Sequence, residues 1–182
     1  GALMCCTTWV AGGPRRIAVD LPAGKNLAGA FHPPSLVVTD PTALATLPAE
    51  ERVSGMAEVV KHAIVGDDEL FGACETASVF GSAGDLARAI AVKARVVEAD
   101  PLERGARAVL NLGHTVGHAL EAVSGFRLRH GEAVAIGLVA EARMAERIGL
   151  APPGLAARLA LVLDRWGLPV VWTGADVAAL RR

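Results

Sequence analysis

The chain has 182 residues, 52% of them apolar and 20% charged, with 18 basic and 19 acidic side chains and a net charge of −1. That balance suits one globular domain, or one domain and part of another, able to bury a core. No basic block marks a nucleic-acid partner, and apolar runs such as Ala133 to Ala140 fall short of the about 20 residues that a membrane helix needs. The opening GALMCCTTWV has no basic n-region and no initial Met, so it reads as an internal edge rather than a natural start. Cys5, Cys6 and Cys74 are odd in number and two are adjacent, which is no disulfide framework and points to a reducing cytoplasm.

From Gly1 to about Asp40 the chain is rich in Gly and Pro, with β-prone runs at Thr7 to Ala11, Ile17 to Val19 and Leu36 to Thr39. Gly12-Gly13-Pro14, Pro22-Ala23-Gly24 and Pro33-Pro34 punctuate them as turns. After Pro41 the character becomes Ala-rich and helical. A helix is predicted from Pro48 to about Val65, Pro being a good first residue, and a short one after Asp67. Ser82-x-x-Asp85 resembles a capping box and opens a helix to about Ala99. Asp100-Pro101-Leu102-Glu103 gives a further start signal for a helix ending before Gly125. Two more cover His130 to Ile148 and Pro153 to Trp166, each stopped by a glycine, with Leu168 to Trp172 extended. The fold expected is mainly α: a multihelical domain over 47–182, preceded over 1–46 by a β-containing remnant of an α/β domain.

Three polar features stand out within apolar helices. In RAVLNLGHTVGHALEA, residues Arg107, Asn111, His114 and His118 fall on one stripe at about 3.6 residues per turn. Leu110, Leu112, Val116 and Leu120 beside them call for burial, so the stripe is either a solvated face or a wet site, because unpaired buried polar groups are costly. Solvated faces are usually rich in Glu and Lys rather than Asn and His. His114 and His118 are also an i, i+4 pair able to share a metal, and His130 opens the next helix. Lys93 sits on the apolar stripe of Leu86, Ile90 and Val97, and either snorkels to solvent or waits for an anionic or carbonyl ligand. Glu58 and Lys61, at i, i+3, read by themselves as an ordinary surface pair. Together these residues suit an open metal site acting on a phosphate- or carboxylate-bearing substrate.

The stretches LPAGKNLAGAFHPPSLVVTDPTALATLPAEERVSGMAEVVKH and DPLERGARAVLNLGHTVGHALEAVSGFRLRHGEAVAIG resemble the 3-dehydroquinate synthases from about Arg16 to about Leu150. The resemblance implies NAD and one divalent metal, zinc or cobalt, as cofactors, and a small sugar-phosphate substrate, 3-deoxy-D-arabino-heptulosonate 7-phosphate. In the family NAD oxidises the C5 hydroxyl, phosphate is eliminated, the ketone is reduced back and an aldol closure makes the ring, a step of aromatic amino-acid synthesis. Carried over residue by residue, the metal ligands fall at Glu58, His114 and His130. His118 contacts substrate and transfers protons, which departs from the i, i+4 pairing. Lys61, Lys93, Arg107, Asn111 and Asn26 match substrate positions, and Lys25 with Ala43, Leu44, Ala45 and Thr46 match NAD contacts. Residues 1–46 become a remnant of the NAD-binding domain, and the complete enzyme is expected to be a homodimer. The chain departs from the family between TTWVA and PAGKN, where GGPRRIAVD makes a connection about four residues shorter than the family's, which carries VDSSVGGKT, and Arg16 stands in place of a proton-transferring lysine. No family lysine is matched near Arg181-Arg182. By itself, then, the chain is expected not to work as a synthase, and the alternatives are another sugar-phosphate cyclase of secondary metabolism or a non-catalytic metal-binding remnant.

Overall fold

The computed structural model describes residues 38–78, 80, 82–102 and 104–174, together with the backbone of 17–21 and 24–30. Arg16, Thr7 to Ala11, the pair Cys5-Cys6 and Arg181-Arg182 lie outside the described residues, as do the side chains of Lys25 and Asn26. Strands β1 (Ile17–Leu21) and β2 (Gly24–Ala30) form an antiparallel hairpin, pairing Ile17 with Ala30, Val19 with Ala28 and Leu21 with Gly24, while Pro22 and Ala23 of the expected turn lie outside the described residues. The Gly/Ala-rich β2 carried little side-chain signal for a strand. Val38 and Thr39, expected to be extended, form no ladder. A short 3-10 helix, Pro41–Thr46, follows, capped by Asp40 accepting from Thr42 N at 2.9 Å.

Six α-helices follow among the described residues: α1 (Ala49–Gly66), α2 (Asp68–Thr76), α3 (Ala83–Ala99), α4 (His114–Val123), α5 (His130–Arg147) and α6 (Leu155–Arg165). The molecule is thus mainly α, and no helix described is long and apolar enough to cross a membrane. Helix α1 has Glu50 and Glu51 in its first turn, favourable at the positive end of a helix dipole. It is buried on every side from Ser54 to Ala63, enclosed by α2, α3, α5, α6 and a second 3-10 helix, Ala106–Asn111. One residue, Asp67, ends α1 and caps α2 by accepting from Leu70 N at 2.8 Å. Ser82 and Asp85 form the expected reciprocal box at the head of α3. Helix α6 docks on α2 through Arg158 on Glu75 (2.7 Å) and Trp166 Nε1 on the Cys74 carbonyl (2.9 Å). Met56, Val59, Val60, Leu70, Leu138 and Leu163 lie in the principal core. Leu168 closes that core, and the segment to Trp172 joins no ladder, with a bend at Val171.

The largest departure from the sequence-based expectation lies between Asp100 and His118. Asp100 starts no α-helix: its carboxylate turns back onto the N–H groups of Arg104 (2.8 Å), Gly105 (2.9 Å) and Arg107 (3.1 Å). The expected single helix is instead the 3-10 turn Ala106–Asn111, a break at Gly113 with φ +78°, and then α4. The cause is α5. A methyl at Gly137 would lie 2.0 Å from the Gly113 carbonyl oxygen, so the two backbones touch where the chain bends. Glu141 of α5 then caps α4, accepting from Gly113 N at 2.7 Å and Val116 N at 3.5 Å. Neither cause is local in sequence.

The backbone contact makes Gly137→Ala an overpacking change, expected to cost about 3 kcal/mol because backbone must move. At Gly72, inside α2, a methyl would meet nothing within 4 Å. Gly72→Ala is therefore expected to be neutral or stabilising by about 0.5–1 kcal/mol. Urea unfolding of the two variants checks the contrast, and equal stabilities would contradict the packing described.

A candidate metal centre

Three helices deliver the polar side chains: α1 gives Glu58, Lys61 and His62, the first two turns of α4 give His114 and His118, and the first residue of α5 is His130. Two close approaches bring the helices together. A methyl at Gly131 would lie 1.9 Å from the Ser54 carbonyl oxygen, and Gly131 N donates to Ser54 Oγ at 3.0 Å. At Gly117 a methyl would meet the Ala133 backbone at 3.3 Å. Gly131 thus lets the head of α5 sit against α1, and Gly117 eases the close packing of α4 on α5.

Glu58 and Lys61 are not a surface pair: both are buried, with Lys61 Nζ on Glu58 Oε2 at 2.7 Å. The other oxygen, Glu58 Oε1, has no hydrogen-bond partner among the described residues. His114 Nε2 at 3.4 Å and His130 Nε2 at 3.7 Å converge on it. Ligand atoms of Glu58, His114 and His130 all lie within 4.8 Å of one another. Donors about 2.1 Å from a tetrahedral zinc lie about 3.4 Å apart, so this spacing fits one divalent ion, and a carboxylate with two imidazoles leaves a coordination position open. The ring nitrogens agree. His114 Nδ1 is 3.2 Å from the Leu112 carbonyl; a carbonyl only accepts, so Nδ1 carries the proton and Nε2 keeps its lone pair.

His118 is exposed, its ring 5.4 Å from that of His114 and 6.0 Å from that of His130. It adjoins the trio without joining it, although His118, Glu121 and His130 form a second set with ligand spacing. Lys93 does not snorkel. It is 2% exposed, on a buried face with Ala89 and Val92, while Leu86, Ile90 and Val97 are half-buried. Arg107 is buried and Asn111 exposed, one on each side of the 3-10 turn. Ala43, Ala45 and Thr46 are exposed and Leu44 half-buried. Sequence reasoning missed His62, Glu121, Glu141 and Asp100. His62 lies in an apolar run, VVKHAIV, and the three carboxylates act through partners that only folding brings near.

The C-terminal family model of 3-dehydroquinate synthase matches residues 55–182, and the N-terminal one matches 5–54. The chain belongs to the 3-dehydroquinate synthase family. The 3-dehydroquinate synthase of Symbiobacterium thermophilum is 52% identical, over 85% of this chain and 45% of that protein. That of Xanthomonas campestris pv. campestris is 46% identical, over 91% and 48%. The chain therefore spans about half the length of the curated relatives it matches. Among solved structures it resembles 2-epi-5-epi-valiolone synthase from Streptomyces hygroscopicus with NAD+ and Zn2+ bound (TM-score 0.80, 28% identity, 97% of this chain and 52% of that one). It likewise resembles 2-deoxy-scyllo-inosose synthase complexed with carbaglucose-6-phosphate, NAD+ and Co2+ (TM-score 0.81, 27% identity, 99% and 50%).

In this synthase-family site the charges are strongly coupled. Burial pushes the Glu58 carboxyl up, but the facing His130 imidazole, the charges of Lys61 and His114 and the Lys61 hydrogen bond together hold it well below the usual carboxylate range. His114 is pushed down to about 4 by burial and the Lys61 charge, whereas the Glu58 contact raises His130. His62, with both ring nitrogens lacking a hydrogen-bond partner among the described residues, is pushed to about 3 by burial and by Lys93. Burial pushes Lys93 down to about 7 despite Glu58.

Lys93 thus binds fewer protons folded than unfolded between about pH 7 and its ordinary 10.5, and its contribution to stability rises with pH across that window. Lys93→Met removes the contribution. In the metal-free protein this variant is expected to melt at or above wild type at pH 7, with the gap closing toward pH 10. Differential scanning calorimetry at both pH values checks it; a gap that widens with pH would contradict the burial of a depressed amine.

Proposed function

We propose that this chain is the metal- and substrate-binding part of a 3-dehydroquinate synthase, a phosphate-eliminating carbon–oxygen lyase. It would convert 3-deoxy-D-arabino-heptulosonate 7-phosphate to 3-dehydroquinate and phosphate in the shikimate pathway. The observation that carries the reading is Glu58 Oε1, buried without a hydrogen-bond donor among the described residues while two imidazole Nε2 atoms face it. Glu58, His114 and His130 would hold one zinc or cobalt ion, which when bound would polarise the substrate hydroxyl. Identities of 45–52% to 3-dehydroquinate synthases, against 27–28% to the two cyclases of known structure, favour this member of the wider group.

The remaining residues take roles from placement and chemistry. Lys61 holds Glu58 Oε2 and so leaves Oε1 for the ion. Lys93 and Arg107 are buried cations suited to the substrate's phosphate and carboxylate. His118 and Asn111, exposed beside the trio and on the adjoining turn, would contact substrate, His118 moving a proton. Asn26 joins them on the family pattern. Lys25 and the turn Ala43 to Thr46 would touch NAD, and residues 1–46 would be the edge of the NAD-binding domain beside a metal-binding domain over 47–182. The complete enzyme would be a homodimer. A reducing cytoplasm is the proposed setting, consistent with Cys74 as a buried thiol that burial pushes up to about 11.

The ligand assignment predicts that Glu58→Ala, His114→Ala and His130→Ala each lose bound metal while His118→Ala keeps it, measured as metal per chain by elemental analysis. Metal retained in His130→Ala but lost in His118→Ala would restore the i, i+4 pairing instead.

Dinucleotide binding needs a βαβ unit whose tight turn and helix N-terminus receive the pyrophosphate. Among the described residues the strands form only an antiparallel hairpin, so no hydride step is placed on these residues. Calorimetric titration of the 182-residue chain alone with NAD is expected to show no micromolar binding, and the sugar phosphate no steady phosphate release. Either signal would show that the chain is sufficient by itself.

A further inference from the structure

Glu121 lies on α4, one turn beyond His118, and is buried, with 7% of its surface exposed. Its Oε1 approaches His130 Nδ1 at 3.4 Å. The other nitrogen of that ring, Nε2, faces Glu58 Oε1. An imidazole gives a metal one nitrogen, and the second N–H then needs an acceptor that fixes the tautomer and the ring plane. His114 has such an acceptor in the Leu112 carbonyl.

From this geometry we infer that Glu121 is a positioning residue for the metal centre, its carboxylate receiving Nδ1–H of His130 so that Nε2 is presented to the ion. The inference rests on the metal reading above. A carboxylate does more than the neutral carbonyl behind His114, because its charge also makes the imidazole a stronger donor to the metal. The approach of 3.4 Å is longer than a formed N–H···O bond of about 2.9 Å, and a small turn of the ring toward Glu121 closes it. The rival use of Glu121, as a ligand with His118 and His130, would turn His130 Nδ1 onto the ion and its Nε2–H toward Glu58 Oε1, and would leave the lone pair of His114 Nε2 facing that same oxygen at 3.4 Å with no metal between them.

The test measures zinc affinity of the purified chain by chelator competition and records the visible d–d spectrum of its cobalt(II) form. Wild type is compared with Glu121→Ala, Glu121→Gln and Glu58→Gln. Glu121→Ala is expected to weaken binding by roughly 10- to 100-fold and to alter the cobalt spectrum. Glu121→Gln should recover part of the loss, since its amide oxygen still accepts from Nδ1–H. A merely structural role would move the apo melting temperature and leave the Ala-to-Gln order of affinities unexplained. If wild type binds only adventitious metal, the metal reading itself fails. If wild type binds and Glu121→Ala binds equally tightly, the positioning role is overturned. It is overturned too if Glu58→Gln keeps the ion while Glu121→Ala abolishes binding, which would make Glu121 a ligand. Should Glu121→Ala fail to fold, Glu121→Gln decides: a wild-type affinity and spectrum overturn the role, and a several-fold loss with a shifted spectrum supports it.

Discussion

The structure depends on keeping one carboxylate, that of Glu58, inside the stretch of α1 from Ser54 to Ala63 that has no solvent face. Removing a carboxylate from water costs several kcal/mol even after relaxation, and the cost is recovered only if its oxygens find partners. Lys61 supplies one partner from the next turn of α1. The other oxygen depends on side chains from α4 and α5, so the site cannot form until three helices have met. Placement of the helices and of the ligands is therefore one constraint.

Glycine is how the constraint is met. Gly131 against Ser54 and Gly137 against Gly113 are backbone contacts that any side chain would prevent. Helix α5 takes part in both. Its first turn holds His130 against α1, and its third turn presses on the bend that starts α4 and presents His114. The same contact divides what would be one long helix, so Arg107 and Asn111 belong to a 3-10 turn while the histidines belong to α4. The carboxylates of Asp100 and Glu141 satisfy the backbone N–H groups that the division leaves open.

A second consequence is the crowding of positive groups. Lys61, Lys93 and Arg107 are buried within reach of one another's fields, as Lys93 registers in being pushed down to about 7 by burial first and by its cationic neighbours as well. Glu58 is the carboxylate whose charge most offsets them at Lys93 and His62.

Much of this was legible in the amino-acid order. Periodicity, the Ser82–Asp85 box, Pro48 and the glycines after α5 and α6 placed four of the six helices within about two residues at both ends, and the start of α2 as well, the usual margin for helix ends. The motif residues themselves, Glu58, Lys61, Lys93, His114, His118 and His130, stood out because their chemistry disagrees with their apolar surroundings. What spacing could not supply was direction. An i, i+4 histidine pair looks like a shared ligand set, yet His114 faces Glu58 while His118, one turn on, is exposed and lies beside His130. Glu58 and Lys61 read as a surface pair because pairwise spacing carries no information on burial; α1 is enclosed by helices distant in sequence. The sequence by itself determined the helices, the family and the candidate residues, all of which rest on local preferences and motif identity. Tertiary structure alone decided which nitrogen faces which oxygen, because that depends on backbone contacts between residues 24 to 77 positions apart (Gly113 with Gly137, Ser54 with Gly131).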